Sequence, residues 1–216
     1  ADPSNIILNQ FSEFANYLIN YQCTGTALNH VFNHLKEQNN DLSLAAFVAA
    51  TGSGGTLGAG DYLKIHQDSL IVAVEPTECP TMLYNGFGEH NIQGIGDKHI
   101  PLVQNVMNTD IVTAVSDQSC DRLNVLFNTE IGKDYLINRR KLNSNMVNTL
   151  AKLGLSGIAN VLAAIKTARL LNLTENNAVI TVATDSGELY ASERVLTESK
   201  IFPDGFDQVS AGETYA

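Results

Sequence analysis

Five consecutive residues, Gly52-Ser53-Gly54-Gly55-Thr56, have the types and spacing to grip an anion. The glycines let backbone N–H groups crowd one point, and Ser53 and Thr56 add hydroxyl donors. Six apolar residues, 45–50, lead in, and Asp61-Tyr62-Leu63-Lys64-Ile65-His66 can finish a helix begun near Thr56. In a strand–turn–helix the unpaired N–H groups of the first helical turn face that same point. A phosphate taking three or four charge-assisted bonds, each about 1.5–3 kcal/mol net, would be held without any cationic side chain. Thr56 follows Gly55 where a nucleoside-triphosphate loop would carry Lys, which argues against ATP or GTP. Gly52, Gly54 and Gly58 are spaced G-x-G-x-x-x-G, one residue off the dinucleotide fingerprint. The next apolar run, 70–74, ends in Glu75, where an acid could hold a ribose. At this point a phosphate monoester leads. A dinucleotide and a tight turn without ligand stay open.

Composition narrows the partners. The 216 residues are 44 % hydrophobic and 17 % charged, enough for one large globular domain or two small ones. There are 23 acids against 13 Lys and Arg, a net charge of −10, and no basic cluster exceeds Arg139-Arg140-Lys141. Nucleic acid and anionic membrane surfaces are therefore poor partners. Cys23, Cys79 and Cys120 are scattered, with no metal-ligand spacing, and read as reduced thiols in a cytoplasmic protein. No apolar run approaches ~18 residues and no leader pattern opens the chain, so the expectation is a soluble, unexported protein.

The elements that must position the glycine turn follow from periodicity. Residues 45–50, 70–74, 111–115 and 178–183 read as strands. Residues 24–37 read as a helix capped by Thr24 or Thr26, with Leu28, Val31, Phe32 and Leu35 on one face. Asp117 is a plausible cap for a helix carrying Leu123, Leu126 and Phe127. Ser156 can cap another whose face holds Ile158, Val161, Leu162, Ile165 and Ala168. The connection from Pro76 to Pro101 is long enough to be functional. Alternation of strands and helices predicts an α/β domain with a mostly parallel sheet over 1–197, followed by a loosely held tail over 198–216. Ligands in such sheets bind beyond the carboxyl ends of the strands, where the glycine turn, Glu75-Pro76 and Asp185-Ser186-Gly187 converge.

Several motifs in order resemble one family. Asn9-Gln10-Phe11 with Ala15-Asn16 and Thr24-Gly25, the glycine turn, and Val74-Glu75-Pro76 come first. His90-Asn91-Ile92-Gln93-Gly94-Ile95-Gly96, Gly154-Leu155-Ser156-Gly157-Ile158-Ala159-Asn160 and Asp185-Ser186-Gly187-Glu188-Leu189-Tyr190 follow. Together they are similar to the C-terminal part of the pyridoxal-phosphate (PLP) enzymes of the tryptophan-synthase β (type II) fold, closest to the cysteine synthase group. The resemblance implies a three-layer α/β fold with a twisted parallel sheet, and a cytoplasmic homo-oligomer acting on a small amino acid. Gly52, Ser53, Gly54, Gly55 and Thr56 would hold the cofactor phosphate. Ser186 would bond the pyridine nitrogen, and a neutral hydroxyl there suits β-elimination and replacement better than transamination. Gly94 and Gly96 would let the backbone lie close to the cofactor, and Gln10 would lie near the substrate carboxylate.

The departures carry equal weight. The family's Schiff-base lysine and its substrate-carboxylate loop lie N-terminal to everything in this chain. None of Lys36, Lys64, Lys98, Lys133, Lys141, Lys152, Lys166 and Lys200 sits in the expected context. The expectation is a fragment of a cysteine synthase-like enzyme acting on an amino acid such as O-acetylserine, inactive without its missing N-terminal portion. The alternatives are a non-catalytic PLP- or phosphate-binding module and an NAD(P)-binding domain. Glu13-Phe14 and Tyr17 replace the usual Asn-Pro and Pro, and the segment from Val115 to Gly154 is longer than the group's.

Overall fold

The computed structural model describes residues 4–216. Four parallel strands form one sheet in the order β3-β2-β1-β4, where β1 is Ser43–Ala50, β2 Leu70–Pro76, β3 Ile111–Val115 and β4 Asn177–Thr181. The register pairs Phe47 with Ile71 and with Ile180, so β1 is central. Its side chains alternate between two cores, as the pleat requires. Ala46, Val48, Val72 and Val74 belong to one cluster. Phe47, Ala49, Ile71 and Ala73 belong to the other. A central strand with both faces buried must be apolar at every position, which is why 45–50 reads as a continuous run rather than an alternating one.

Helices cover both faces. Helix α1 (Ala15–Ile19) runs through a π-helical turn, Asn20–Gly25, into α2 (Thr26–Gln38). With α3 (Leu57–Gln67), α2 builds the layer on the Phe47 side through Phe32, Leu57, Ala59 and Leu63. The threonine cap expected for α2 is absent because the π turn runs directly into the helix, with Gly25 helical at the N-cap position. Thr24 lies inside the π turn, where its hydroxyl bonds Asn20 Oδ1. Only Phe32 of the predicted face is fully buried, while Val31 and Leu35 are exposed.

Short α4 (Thr81–Tyr84) sits in the 76–101 connection, and α5 (Asp117–Asn128) follows β3. Ser116, not Asp117, caps α5, by accepting from Ser119 N at 3.2 Å. Next come α6 (Glu130–Asp134), a π turn over Tyr135–Arg139, and α7 (Ser144–Leu150). Helix α8 (Leu155–Leu170) lies on the Val48 side of the sheet and is capped at Gly154 rather than Ser156. It buries Ile158, as expected, with Ala159, Asn160, Ala163 and Thr167, and Leu162 packs against the same core, so the buried face is rotated from the predicted one. Val161 and Ile165 are exposed. Small residues let α8 approach the sheet, so bulk did not mark the buried side.

The chain ends in α9 (Ala191–Ile201) and α10 (Gln208–Tyr215). The loose tail expected from residue 198 is instead packed. Phe202, Phe206 and Ala211 are buried against Val125, Leu126, Leu136 and Val147 in a third cluster. Among the described residues no single helix is long and apolar enough to cross a membrane.

Candidate active-site cleft

The chain leaves β1 at Ala50 and turns into α3 on one face of the sheet. β4, on the other side of β1, is reached from α8 on the opposite face. The carboxyl ends of β1 and β4 therefore flank a crevice at a topological switch point. One α8 side chain props it open. Asn160, buried, accepts from Ala50 N at 2.7 Å and donates to Val182 O at 2.9 Å. Both strands are thus held while they splay. A cleft of about 260 Å³ opens there.

One wall is the glycine turn. Gly52, Ser53, Gly54 and Thr56 line the cleft. Gly58 N and Ala59 N turn back onto Gly55 O and Thr56 O at 2.9 and 3.1 Å. No side chain caps α3. Among the described residues the N–H groups of Ser53, Gly54, Gly55 and Thr56 find no protein acceptor, nor does the Thr56 hydroxyl find a partner. Four unpaired amides at the start of an eleven-residue helix can take an anion. No lysine or arginine lines the cleft.

The second wall is the loop carrying Gln93, Gly94 and Ile95. It meets the glycine turn backbone to backbone, since a Cβ on Gly52 would stand 2.7 Å from Gly94 O. Gly94 itself has φ +79° and open space where a side chain would point. The loop is anchored from behind. Asp117 accepts the N–H groups of Asn91 and Ile92, and Asp121 accepts Asn91 Nδ2 at 2.8 Å. Burial raises the Asp121 carboxyl above its ordinary range, against the pull of the Asn91 bond.

The third wall is Ser156, Thr184 and Asp185. Ser156 Oγ lies 2.7 Å from Thr184 Oγ1 and 3.3 Å from Asp185 Oδ1, beside the N-terminus of α8. The other Asp185 oxygen accepts the Tyr190 hydroxyl. Burial, then that carboxylate, raises the Tyr190 phenol, so it stays a donor.

Of the residues expected from the sequence, Gly52, Ser53, Gly54, Thr56 and Gly94 come together. Gly55 is covered by Asn16. Gly96 lies behind the wall, donating to Thr51 O at 2.8 Å. Ser186 is the residue after the lining Asp185, with its Oγ accepting from Glu188 N at 3.3 Å. Gln10 is exposed and outside the cleft lining, and its carbonyl accepts from Asn16 Nδ2. Glu75 is not free for a ribose. It is 2 % exposed, and its carboxylate accepts from Met82 N and Leu83 N, each at 2.9 Å. Asn160 and Ser156 also line the cleft, although the sequence motif that holds them points only to a helix cap at Ser156. The available signal was a polar residue at each position among the otherwise apolar or glycine residues from Leu155 to Ile165.

A cysteine synthase B from Campylobacter jejuni is 31 % identical over 192 residues, 88 % of this chain and 54 % of that protein. The chain is a homologue of the cysteine synthases. A Staphylococcus aureus cysteine synthase is likewise 31 % identical, over 160 residues, 73 % of this chain and 45 % of its own. The chain spans about half the length of these cysteine-synthase relatives. Among solved structures, an O-acetylserine-dependent cystathionine β-synthase from Helicobacter pylori superposes with a TM-score of 0.64 at 25 % identity, covering 88 % of this chain and 53 % of that one. A hydrogen sulfide-producing enzyme from Fusobacterium nucleatum shares the fold, with a TM-score of 0.69 at 24 % identity over 93 % of this chain and 53 % of that one. No protein-family model matches the chain.

Proposed function

We propose that the cleft holds pyridoxal 5'-phosphate, and that the chain is the cofactor-phosphate-holding part of a cysteine synthase-like enzyme for β-elimination and replacement on an amino acid such as O-acetylserine. The observation that carries this reading is the set of four unpaired N–H groups at Ser53–Thr56, shaped for a phosphate and free of cationic side chains. The homology to cysteine synthases supports the choice of phosphate ester. The cofactor, when bound, supplies an electron sink for bond cleavage at the α and β carbons of an amino acid.

The chain's own residues bind and orient. The 53–56 amides with the Ser53 and Thr56 hydroxyls take the phosphate. Gly52 and Gly94 keep side chains out of the cleft. Ser186 is assigned the pyridine nitrogen by the family motif around it, one residue beyond the lining Asp185. Gln10 is assigned the substrate carboxylate by the family motif around it. Gly55 and Gly96 serve by close packing, against Asn16 and against His90 with Pro76. The amine that joins the cofactor is assigned to residues outside these 216, because no lysine lines the cleft. That same observation favours a second reading, a module that holds PLP or phosphate without covalent linkage. Self-association is also proposed, on the family resemblance alone.

Titration of the chain with PLP, followed by competition with inorganic phosphate, tests the assignment. Saturable binding displaced by phosphate is expected, with no borohydride-fixed adduct on any lysine. Absence of binding would overturn the assignment, and an adduct on one lysine with turnover would place the missing amine within the chain.

A further inference from the structure

Asn16 reaches the anion cradle from outside the cleft. Its Nδ2 lies 2.9 Å from Gln10 O and 2.9 Å from Ser53 Oγ. A carbonyl oxygen can only accept, so the Gln10 contact fixes which end of the amide is nitrogen. The second N–H of that nitrogen is then donated to Ser53 Oγ, which must accept it. A hydroxyl that accepts keeps its own proton for another partner. Among the described residues Ser53 Oγ has no other protein partner, and Ser53 lines the cleft. The amide also lies flat on the loop it serves, since a Cβ on Gly55 would run into Asn16 Oδ1.

We propose that Asn16 is a positioning residue. By donating to Ser53 Oγ it turns the serine proton into the phosphate cradle, and by donating to Gln10 O it ties the 10–16 segment to the 52–56 turn. The proposal rests on the reading of that turn as a phosphate grip. It adds a specific source of directionality, because without Asn16 the Ser53 proton is free to rotate toward other acceptors.

A double-mutant cycle read by phosphate affinity tests it. Inorganic phosphate is titrated calorimetrically into the full chain, Asn16→Ala, Ser53→Ala and the double variant, with folding checked by circular dichroism. Ser53→Ala is expected to weaken binding about tenfold, the worth of one charge-assisted bond. Asn16→Ala is expected to weaken it severalfold, and to have no further effect once Ser53 is alanine. A purely structural role would lower affinity equally in both backgrounds. If Asn16→Ala does not fold, the uncharged, near-isosteric Asn16→Leu takes its place. It offers the serine no donor and fills the same space against Gly55, so its loss should shrink at least severalfold in the Ser53→Ala background. An undiminished loss, or no loss with Ser53 intact, overturns the role of Asn16 and leaves the phosphate reading standing. A wild-type chain that binds no phosphate overturns both.

Discussion

Asn160 Oδ1 accepts the backbone N–H of Ala50 at 2.7 Å, at the position where the central strand stops and the glycine turn begins. The same side chain donates to Val182 O. Asn160→Ala would take a side-chain partner from two backbone groups, Ala50 N–H and Val182 O. Destabilisation by about 2–4 kcal/mol is expected, at roughly 1–2 kcal/mol for each group that loses its bond. Urea unfolding checks it. The midpoint should fall with the slope unchanged, as for a native-state loss that leaves the denatured chain alone.

The backbone approach of Gly52 to Gly94 predicts a loss confined to ligand binding and local packing. In Gly52→Ala the added methyl group must push Gly94 O away, a shift worth about 1–3 kcal/mol in a packed site. Phosphate affinity should fall with it, because the amides no longer converge. Gly157→Ala is the control. Its Cβ would meet ordinary contacts, the nearest at 3.5 Å, so stability should hold or rise slightly and phosphate affinity should be unchanged.

Asp117 predicts a loop-specific change. Its carboxylate takes the amides of Asn91 and Ile92, and Asp117→Ala removes both acceptors. Hydrogen exchange at those two amides should speed up by more than exchange within β1, which follows the global loss alone. Global stability should drop by about 2–3 kcal/mol, the scale of hydrogen bonds to a charged group.

Asp121 predicts a pH signature. Its folded-state pKa is raised, chiefly by burial, so the folded protein holds its proton more tightly than the unfolded chain does. That contribution to stability is fully present below the ordinary aspartate pKa and is lost as pH rises through the raised value. Asp121→Asn keeps an acceptor for Asn91 without the charge. It should therefore gain stability over wild type at neutral pH and lose that advantage in acid. Unfolding midpoints measured across both ranges read the difference.

Phe206 tests the packed C-terminus. It is 7 % exposed and meets Phe202 edge to face, with ring centroids 4.9 Å apart. Phe206→Ala should destabilise by about 3 kcal/mol. A loosely held tail would give almost no change in the unfolding midpoint.

What the sequence made legible depended on how locally each feature is determined. The 45–50 run, the glycine turn and the start of α3 are contiguous, and steric and hydrogen-bonding rules at that scale predict the strand, the turn and the helix with its unpaired first amides. Asn160 and Ala50 lie 110 positions apart, and nothing near either one reveals their contact. The face of α8 was misjudged for a related reason. Val161 and Ile165 are larger than Ala159 and Ala163, yet close helix–sheet packing selects the small residues. Phe202 and Phe206 flank Pro203-Asp204-Gly205, and the turn residues concealed a pair of aromatic anchors.

A cradle assembled from main-chain amides has a chemical blind spot. Reagents that acylate lysine or condense with arginine disable many anion sites, but no such side chain lines this cleft. A covalent footprint of the chain would report its outer surface and stay silent about occupancy. Backbone-resolved methods, such as amide chemical shifts at Gly54 and Gly55, are the ones that would register a bound phosphoryl group.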